Sequence, residues 1–145
     1  MIAIGADHGG YDLKEIIKEY LDSVGEEYKD FGTFNGESCD YPDIAEVVAN
    51  SVVSGEAKCG ILVCGTGIGI SIAANKVKGI RCAHCPDSYS AKMTKVHNDA
   101  NIIALGGRIT GPEVALDIVR AYLGAEFEGG RHERRVNKIM ELENK

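Results

Sequence analysis

The 145-residue chain has no excess of basic residues, no long apolar run and no cysteine framework. Its 22 acidic residues outnumber 16 basic ones, which excludes the broad Lys/Arg surface of a nucleic-acid-binding protein. No stretch approaches the ~18 apolar residues that cross a bilayer, so we expect no membrane partner. Asp7 and His8 interrupt the apolar run after Met1, and the five cysteines are unevenly spaced. The sequence predicts a cytoplasmic protein with free thiols.

Apolar runs alternate with helix-periodic segments along the whole chain. The predicted strands are 2–5, 27–31, 60–63, 80–83 and 102–105. The predicted helices are 13–24, 44–52, 68–75, 88–96, 113–122 and 132–143. Such alternation predicts one α/β domain over residues 1–145, with a parallel sheet of five strands covered by helices on both faces.

Two segments depart from this alternation. Residues 31–41 are rich in Gly, Ser, Asn and Asp and form a loop that is either a cover for a site or an inert surface loop. After the break at 124–130, Val136, Ile139 and Met140 mark a last amphipathic helix, about 132–143. That helix needs a surface to dock on, and we expect a neighbouring subunit to supply it.

The most informative motif is ILVCGTGIGIS at residues 61–71. It places the thiol of Cys64 at the carboxyl end of a buried strand, directly before a glycine-rich turn into a helix. The N–H groups of such a turn converge on an anion, and the amino end of the helix favours negative charge. Cys64 is therefore a candidate base or nucleophile. The alternative is a buried cysteine with glycines needed only for tight packing.

The spacing of Gly65, Gly67 and Gly69 matches none of three better-known anion-binding loops. The dinucleotide fingerprint needs Gly-x-Gly-x-x-Gly, and the mononucleotide P-loop needs Lys before Ser or Thr, where Ile70 and Ser71 stand. A cysteine phosphatase needs an arginine at the position of Ile70. The loop therefore suits a smaller developing charge, such as an enediolate oxygen, better than a phosphoryl group.

Polar residues also stand at the ends of other predicted elements. Asp7 and His8 follow the first strand, and they either bind a sugar and a phosphate or serve as a helix cap and a surface histidine. His97 and Asn98 end the fourth helix, where a histidine is usually structural, although Asn98 could bind a substrate hydroxyl. Arg108 follows the last strand and so lies at the carboxyl edge of the sheet, where ligands of such folds bind.

Arg131 and Arg135 lie one turn apart on a shared face of the final helix. Cations at the amino end of a helix oppose its dipole by a few tenths of a kcal/mol each, and an anionic partner would offset that cost. The alternative is a solvated run of charge.

The cluster Cys82, His84 and Cys85 resembles part of a metal or redox site. A zinc site needs four ligands, and the chain has no second Cys-x-x-Cys. We therefore predict no metal and no cofactor, and we assign no role to Cys39 or Cys59.

Several segments together resemble the type B ribose-5-phosphate isomerases over nearly the whole chain. They are IGADHGGYDLK, DYPDIA, ILVCGTGIGISIAANK, GIR, HNDANIIALGGR and FEGGRHERRV, of which CGTGIGISIAANK and HND are the most specific. The wider family includes subunits of galactose-6-phosphate isomerase. The resemblance implies a three-layer Rossmann-like fold, a homodimer or dimer of dimers, and no metal. It also implies reversible conversion of ribose 5-phosphate to ribulose 5-phosphate in the pentose phosphate pathway.

The resemblance implies that Cys64 is the base exchanging a proton between C1 and C2, that Thr66 assists at the substrate oxygens, and that His97 opens the furanose ring. It implies substrate binding by Asp7, His8, Gly65, Gly67, Ile68, Gly69, Asn98, Arg108, Arg131 and Arg135. The last two resemble arginines that reach in from the other subunit, so that the site is shared. Some family members have a carboxylate base at the position of Ile70 and no cysteine at 64, whereas this sequence has the cysteine pattern.

Two other functions stay open. The same catalytic residues would serve a six-carbon aldose phosphate, such as allose or galactose 6-phosphate, and contacts of the loop 31–41 would decide between them. The chain could also be a non-enzymatic module of flavodoxin-like shape that binds a phosphorylated ligand.

Overall fold

The five strands and six helices alternate as the sequence predicts. The computed structural model describes all residues, 1–145. The strands are β1 (Ile2–Ala6), β2 (Tyr28–Asp30), β3 (Cys59–Cys64), β4 (Cys82–His84) and β5 (Ile102–Gly106). The helices are α1 (Tyr11–Ser23), α2 (Tyr41–Val53), α3 (Ile68–Ala74), α4 (Ser88–Asn98), α5 (Pro112–Leu123) and α6 (Arg131–Glu141), with a final 3₁₀ turn at Leu142–Asn144. The predicted α/β fold is confirmed.

All strands run parallel in the order β2-β1-β3-β5-β4. The direction of chain progression reverses between β1 and β3, and ligands in such sheets bind beyond the carboxyl ends of the strands at that point. Ala6 pairs with Val63, and Cys64 pairs with Gly106. The residues that follow β1, β3 and β5 therefore meet at one edge of the sheet.

The three inner strands are buried on both faces, which explains why they read as continuous apolar runs. Helices α1, α4 and α5 cover one face and contribute apolar residues such as Ile17, Ala91 and Ile118. Helices α2 and α3 cover the other face, with Val48 and Ile70 among their core residues. The three-layer arrangement follows, and none of the helices is long and apolar enough to span a membrane.

Two details differ from the sequence expectation or extend it. Strand β4 begins at Cys82 rather than near Ile80, because the amide of Ile80 closes a turn by donating to the carbonyl of Val77 at 3.2 Å. Helix α6 packs on α4 of the same chain through its buried face and leaves Ile139 exposed, and Leu142 in the 3₁₀ turn that follows is exposed as well. Its docking on a second subunit stays a prediction.

Candidate active site

Cys64, the last residue of β3, is nearly buried, and its sulfur faces the glycine turn. The amide of Gly67 points at the sulfur, with 3.1 Å between N and Sγ. Gly67 has a φ of +81°, and a Cβ there would lie 2.8 Å from the carbonyl carbon of Leu105. Only glycine fits this position without strain. The turn therefore aims an N–H at the sulfur of Cys64.

The rest of the turn supplies unused hydrogen-bond donors. The amides of Gly65, Thr66 and Gly69 donate to no group within the chain. The hydroxyl oxygen of Thr66 accepts from the amide of Ile68 at 3.2 Å, which leaves its proton free to donate. Free donors beside a thiol suit an oxygen that becomes negative during a reaction.

Asp7 and His8 are fixed by the turn after β1. One carboxylate oxygen of Asp7, Oδ1, accepts from the amides of Gly9 at 2.9 Å and Gly10 at 3.2 Å. Its other oxygen has no donor within the chain and remains available to a ligand hydroxyl. Nδ1 of His8 accepts from the amide of Cys39 at 3.2 Å, so the ring of neutral His8 carries its proton on Nε2 and can donate it.

Arg108 lies beside the same turn. Its amide donates to the carbonyl of Gly65 at 3.0 Å, and a Cβ on Gly65 would lie 3.3 Å from its guanidinium nitrogen Nη1. No carboxylate pairs with Arg108. An unpaired guanidinium at this edge is suited to a phosphate group. We call Asp7, His8, Cys64 and Arg108 the carboxyl-edge cluster.

The loop at 31–40 is held next to this cluster by contacts at three points. Lys14, a fully buried lysine of α1, donates to both carboxylate oxygens of Asp30 at 2.8 and 2.7 Å and to the carbonyl of Thr33. Farther along, Cys39 binds His8, as described above. At the end of the loop, the ring of Tyr41 lies on the first turn of α3, where a Cβ on Gly69 would meet it at 2.8 Å. The loop therefore borders the site instead of being an unattached surface loop.

His97 and Asn98 lie at the opposite edge of the sheet. They end α4, which leads into the start of β5, and the carbonyl of Asn98 accepts from the side chain of Arg81 directly before β4. At ~3.3 Å per residue, the five residues of β5 separate the two edges by about 13 Å. Cys64 and His97 of one chain are therefore not brought together.

Arg131 and Arg135 lie on the His97 side of the molecule. The amide of Glu128, just before α6, donates to the carbonyl of Val96 at 3.0 Å, which fixes the start of α6 to the end of α4. Both arginines are exposed, and neither is paired with a carboxylate. We call His97, Asn98, Arg131 and Arg135 the amino-edge cluster.

One neighbour of the amino-edge cluster was not anticipated from the sequence. His132 is buried, and its ring stacks on that of His97 with centroids 4.4 Å apart and planes 15° apart. The available signal was its position four residues before Val136, on the apolar face of α6. With Glu128 these rings place three potential metal ligands within 4.8 Å of one another. Stacked parallel rings do not point their lone pairs at one position, so this is not a preformed metal site.

Three further thiols, of Cys59, Cys82 and Cys85, lie away from the glycine turn. Burial raises the pKa of Cys59 and of Cys82, and it raises the pKa of Cys85 to about 12. These thiols stay protonated at neutral pH and have no part in proton transfer. All five cysteines are free.

A nearly buried thiol and free backbone donors thus lie together at the switch point of a parallel sheet, where enzymes of this fold class bind their ligands. The family model described as Ribose/Galactose Isomerase matches residues 2–139. The chain belongs to this family, and the predicted enzyme class is confirmed.

The similarity extends over whole chains. Ribose-5-phosphate isomerase B of Escherichia coli is 50% identical, over 99% of this chain and 97% of its own. D-erythrulose-4-phosphate isomerase of Pectobacterium atrosepticum is 49% identical, over 95% of this chain and 91% of its own. The solved structure of ribose-5-phosphate isomerase B from Clostridium thermocellum has a TM-score of 0.97 and 59% identity, covering 99% of this chain and 97% of that one.

Proposed function

We propose that this protein interconverts ribose 5-phosphate and ribulose 5-phosphate through a cis-enediolate, with Cys64 as the base. The observation that carries the proposal is the sulfur of Cys64 facing the amide of Gly67 at 3.1 Å, within a turn where the amides of Gly65, Thr66 and Gly69 are free. Isomerisation of an aldose needs one base and donors for an enediolate, and this turn supplies both. The names of the whole-length relatives support the same substrate.

The proton transfer follows from this arrangement. In the open-chain aldose, the Cys64 thiolate removes the proton from C2, and the electron pair forms the C1–C2 double bond of the enediolate. The thiol then returns the proton to C1, while the hydroxyl proton moves from O2 to O1 to leave a ketone at C2. Free amides of the turn and the hydroxyl of Thr66 bind the oxygens while they carry negative charge.

We further propose that the site combines the carboxyl-edge cluster of one subunit with the amino-edge cluster of another in a homodimer or dimer of dimers. One chain keeps Cys64 and His97 at opposite edges, so a second copy is needed to bring them together. The exposed Ile68 and Ile72 of α3, next to the glycine turn, offer an apolar surface for that copy. In this arrangement, Arg131 and Arg135 bind the phosphate that enters a partner's site.

His97 is proposed to open the furanose. Its imidazolium gives a proton to the ring oxygen, the bond between C1 and that oxygen breaks, and the C1 hydroxyl releases its proton to water. An aldehyde and a neutral His97 remain. The site needs no metal for these steps, and we expect the protein to act in the cytoplasm, where thiols stay reduced.

The direct test is incubation with ribose 5-phosphate while ketose formation is followed by absorbance. Cys64→Ala should lower kcat at least ~10³-fold, the scale of a lost positioned base, while ribulose 5-phosphate still binds. A variant with near-normal turnover would remove the role of Cys64. Allose 6-phosphate and galactose 6-phosphate are the comparison substrates, and faster turnover of either would reassign the substrate. No turnover of any sugar phosphate, with binding retained, would favour the non-enzymatic module.

A further inference from the structure

His132 has contacts that the proposed reaction does not use. Its ring covers one face of His97, and the backbone bond between Glu128 and Val96 holds the two helices that carry these rings. Neither ring forms a hydrogen bond within the chain, and the carboxylate of Glu128 lies 3.9 Å from Nε2 of His132. The stack therefore restricts the orientation of the His97 ring without any hydrogen bond.

Burial and nearby positive charges both favour the neutral form of His132. Burial lowers its pKa from the ordinary 6.5, and the charge of His97 and of the guanidiniums of Arg131 and Arg135 acts in the same direction. The negative charge of Glu128 raises the pKa of His132, but the pKa remains below its ordinary value. Two stacked imidazolium rings would repel each other strongly at 4.4 Å. A proton on one ring therefore disfavours a proton on the other.

We propose that His132 is a positioning residue for His97: by stacking on one face, it fixes the ring in the orientation used in ring opening. This inference rests on the proposed function, in which His97 donates to the furanose oxygen. It assigns His132 no contact with the substrate. Loss of the stack should leave His97 in place but free to rotate, which slows ring opening and not the transfer between C1 and C2.

The test separates these two steps. Ribulose 5-phosphate cannot form a furanose, because its C5 oxygen is phosphorylated. Its first turnover, with enzyme in excess and acid quenching, therefore reports proton transfer alone. Steady-state kcat from cyclic ribose 5-phosphate includes ring opening. His132→Ala should lower that kcat about tenfold or more and change the first-turnover rate constant little.

Two further variants distinguish positioning from stability. His132→Phe keeps a flat ring against His97 and should restore most of the kcat lost in His132→Ala. Val136→Ala removes an apolar contact of α6 one turn farther on and leaves both rings in place. It should lower the midpoint of thermal unfolding without changing the ratio of the two rates.

The outcomes are distinct from failure of the proposed function. If wild-type protein converts ribose 5-phosphate and His97→Ala shows the selective loss of kcat, an equal loss of both rates in His132→Ala overturns the inference. Failure of His132→Phe to rescue overturns it as well, because stacking would then not be the contribution of His132. If His97→Ala shows no selective loss, the ring-opening assignment itself fails, and the positioning role fails with it. Absence of turnover in the wild type refutes the proposed function first.

Discussion

A site built from two subunits should allow two inactive variants to rescue each other. One partner is Cys64→Ala, which removes the base from the carboxyl edge. The other is the double variant Arg131→Ala/Arg135→Ala, which removes phosphate binding at the amino edge. The two edges are about 13 Å apart in one chain, so each change damages a different half of the site.

The expected recovery follows from random pairing. When equal amounts are unfolded and refolded together, about half of the dimers are mixed. Each mixed dimer has one site with both defects and one with none, so activity should approach ~25% of wild type. The rate of ribulose 5-phosphate formation measures it, and native mass spectrometry measures the fraction of mixed dimers.

A matched control uses two defects on the same edge. Cys64→Ala refolded with Asp7→Ala should recover no activity, because every site of a mixed dimer then keeps one defect. If Cys64→Ala with the arginine variant is also no more active than its parents, although mixed dimers are present, the arginines act within their own subunit and the shared site is refuted.

Three other predictions concern the metal, the turn and the buried ion pair. Activity should survive exhaustive chelation with EDTA in the standard assay, and a loss restored by a divalent ion would contradict the proposed steps. Gly67→Ala should lower the free energy of unfolding by at least ~1 kcal/mol in urea titrations, because its Cβ meets Leu105 at a positive φ; an unchanged midpoint would contradict this packing. Burial raises the pKa of Asp30, but bonds from Lys14 and Lys18 outweigh it and hold the pKa below its ordinary value. The stability that Asp30 contributes is present above pH ~3.9 and is lost as pH falls through the folded-state pKa. Below pH ~4, the free energy of unfolding should therefore fall less in Asp30→Asn than in the wild type.

Much of the fold could be predicted because strands buried on both faces are apolar throughout. Strand β3 and the turn at Gly67 follow from local sequence, and so does the position of Cys64 at the carboxyl edge. The lateral order of strands could not be predicted, because periodicity carries no information on which strands are neighbours. In the structure β5 lies between β3 and β4.

Contacts between residues far apart in the sequence could not be predicted either. Lys14 reads as a surface lysine, and its burial depends on Asp30, sixteen residues farther along the chain. The stack of His132 on His97 depends on α6 docking against α4, which no local pattern specifies. The separation of His97 from Cys64, in contrast, follows from the predicted order of elements, because a helix that leads into a parallel strand ends at the amino edge of the sheet. The catalytic roles of these residues stay predictions.

Residues 35–38 of the loop at 31–40 are exposed and take part in none of its three contacts with the rest of the chain. Its one recorded bond is local, from the amide of Glu37 to the side chain of Asn35. We predict that insertions or replacements there change the substrate range without displacing His8 or the glycine turn. Aldose phosphates of different length would then share the same Cys64 turn and differ in their contacts with these four residues.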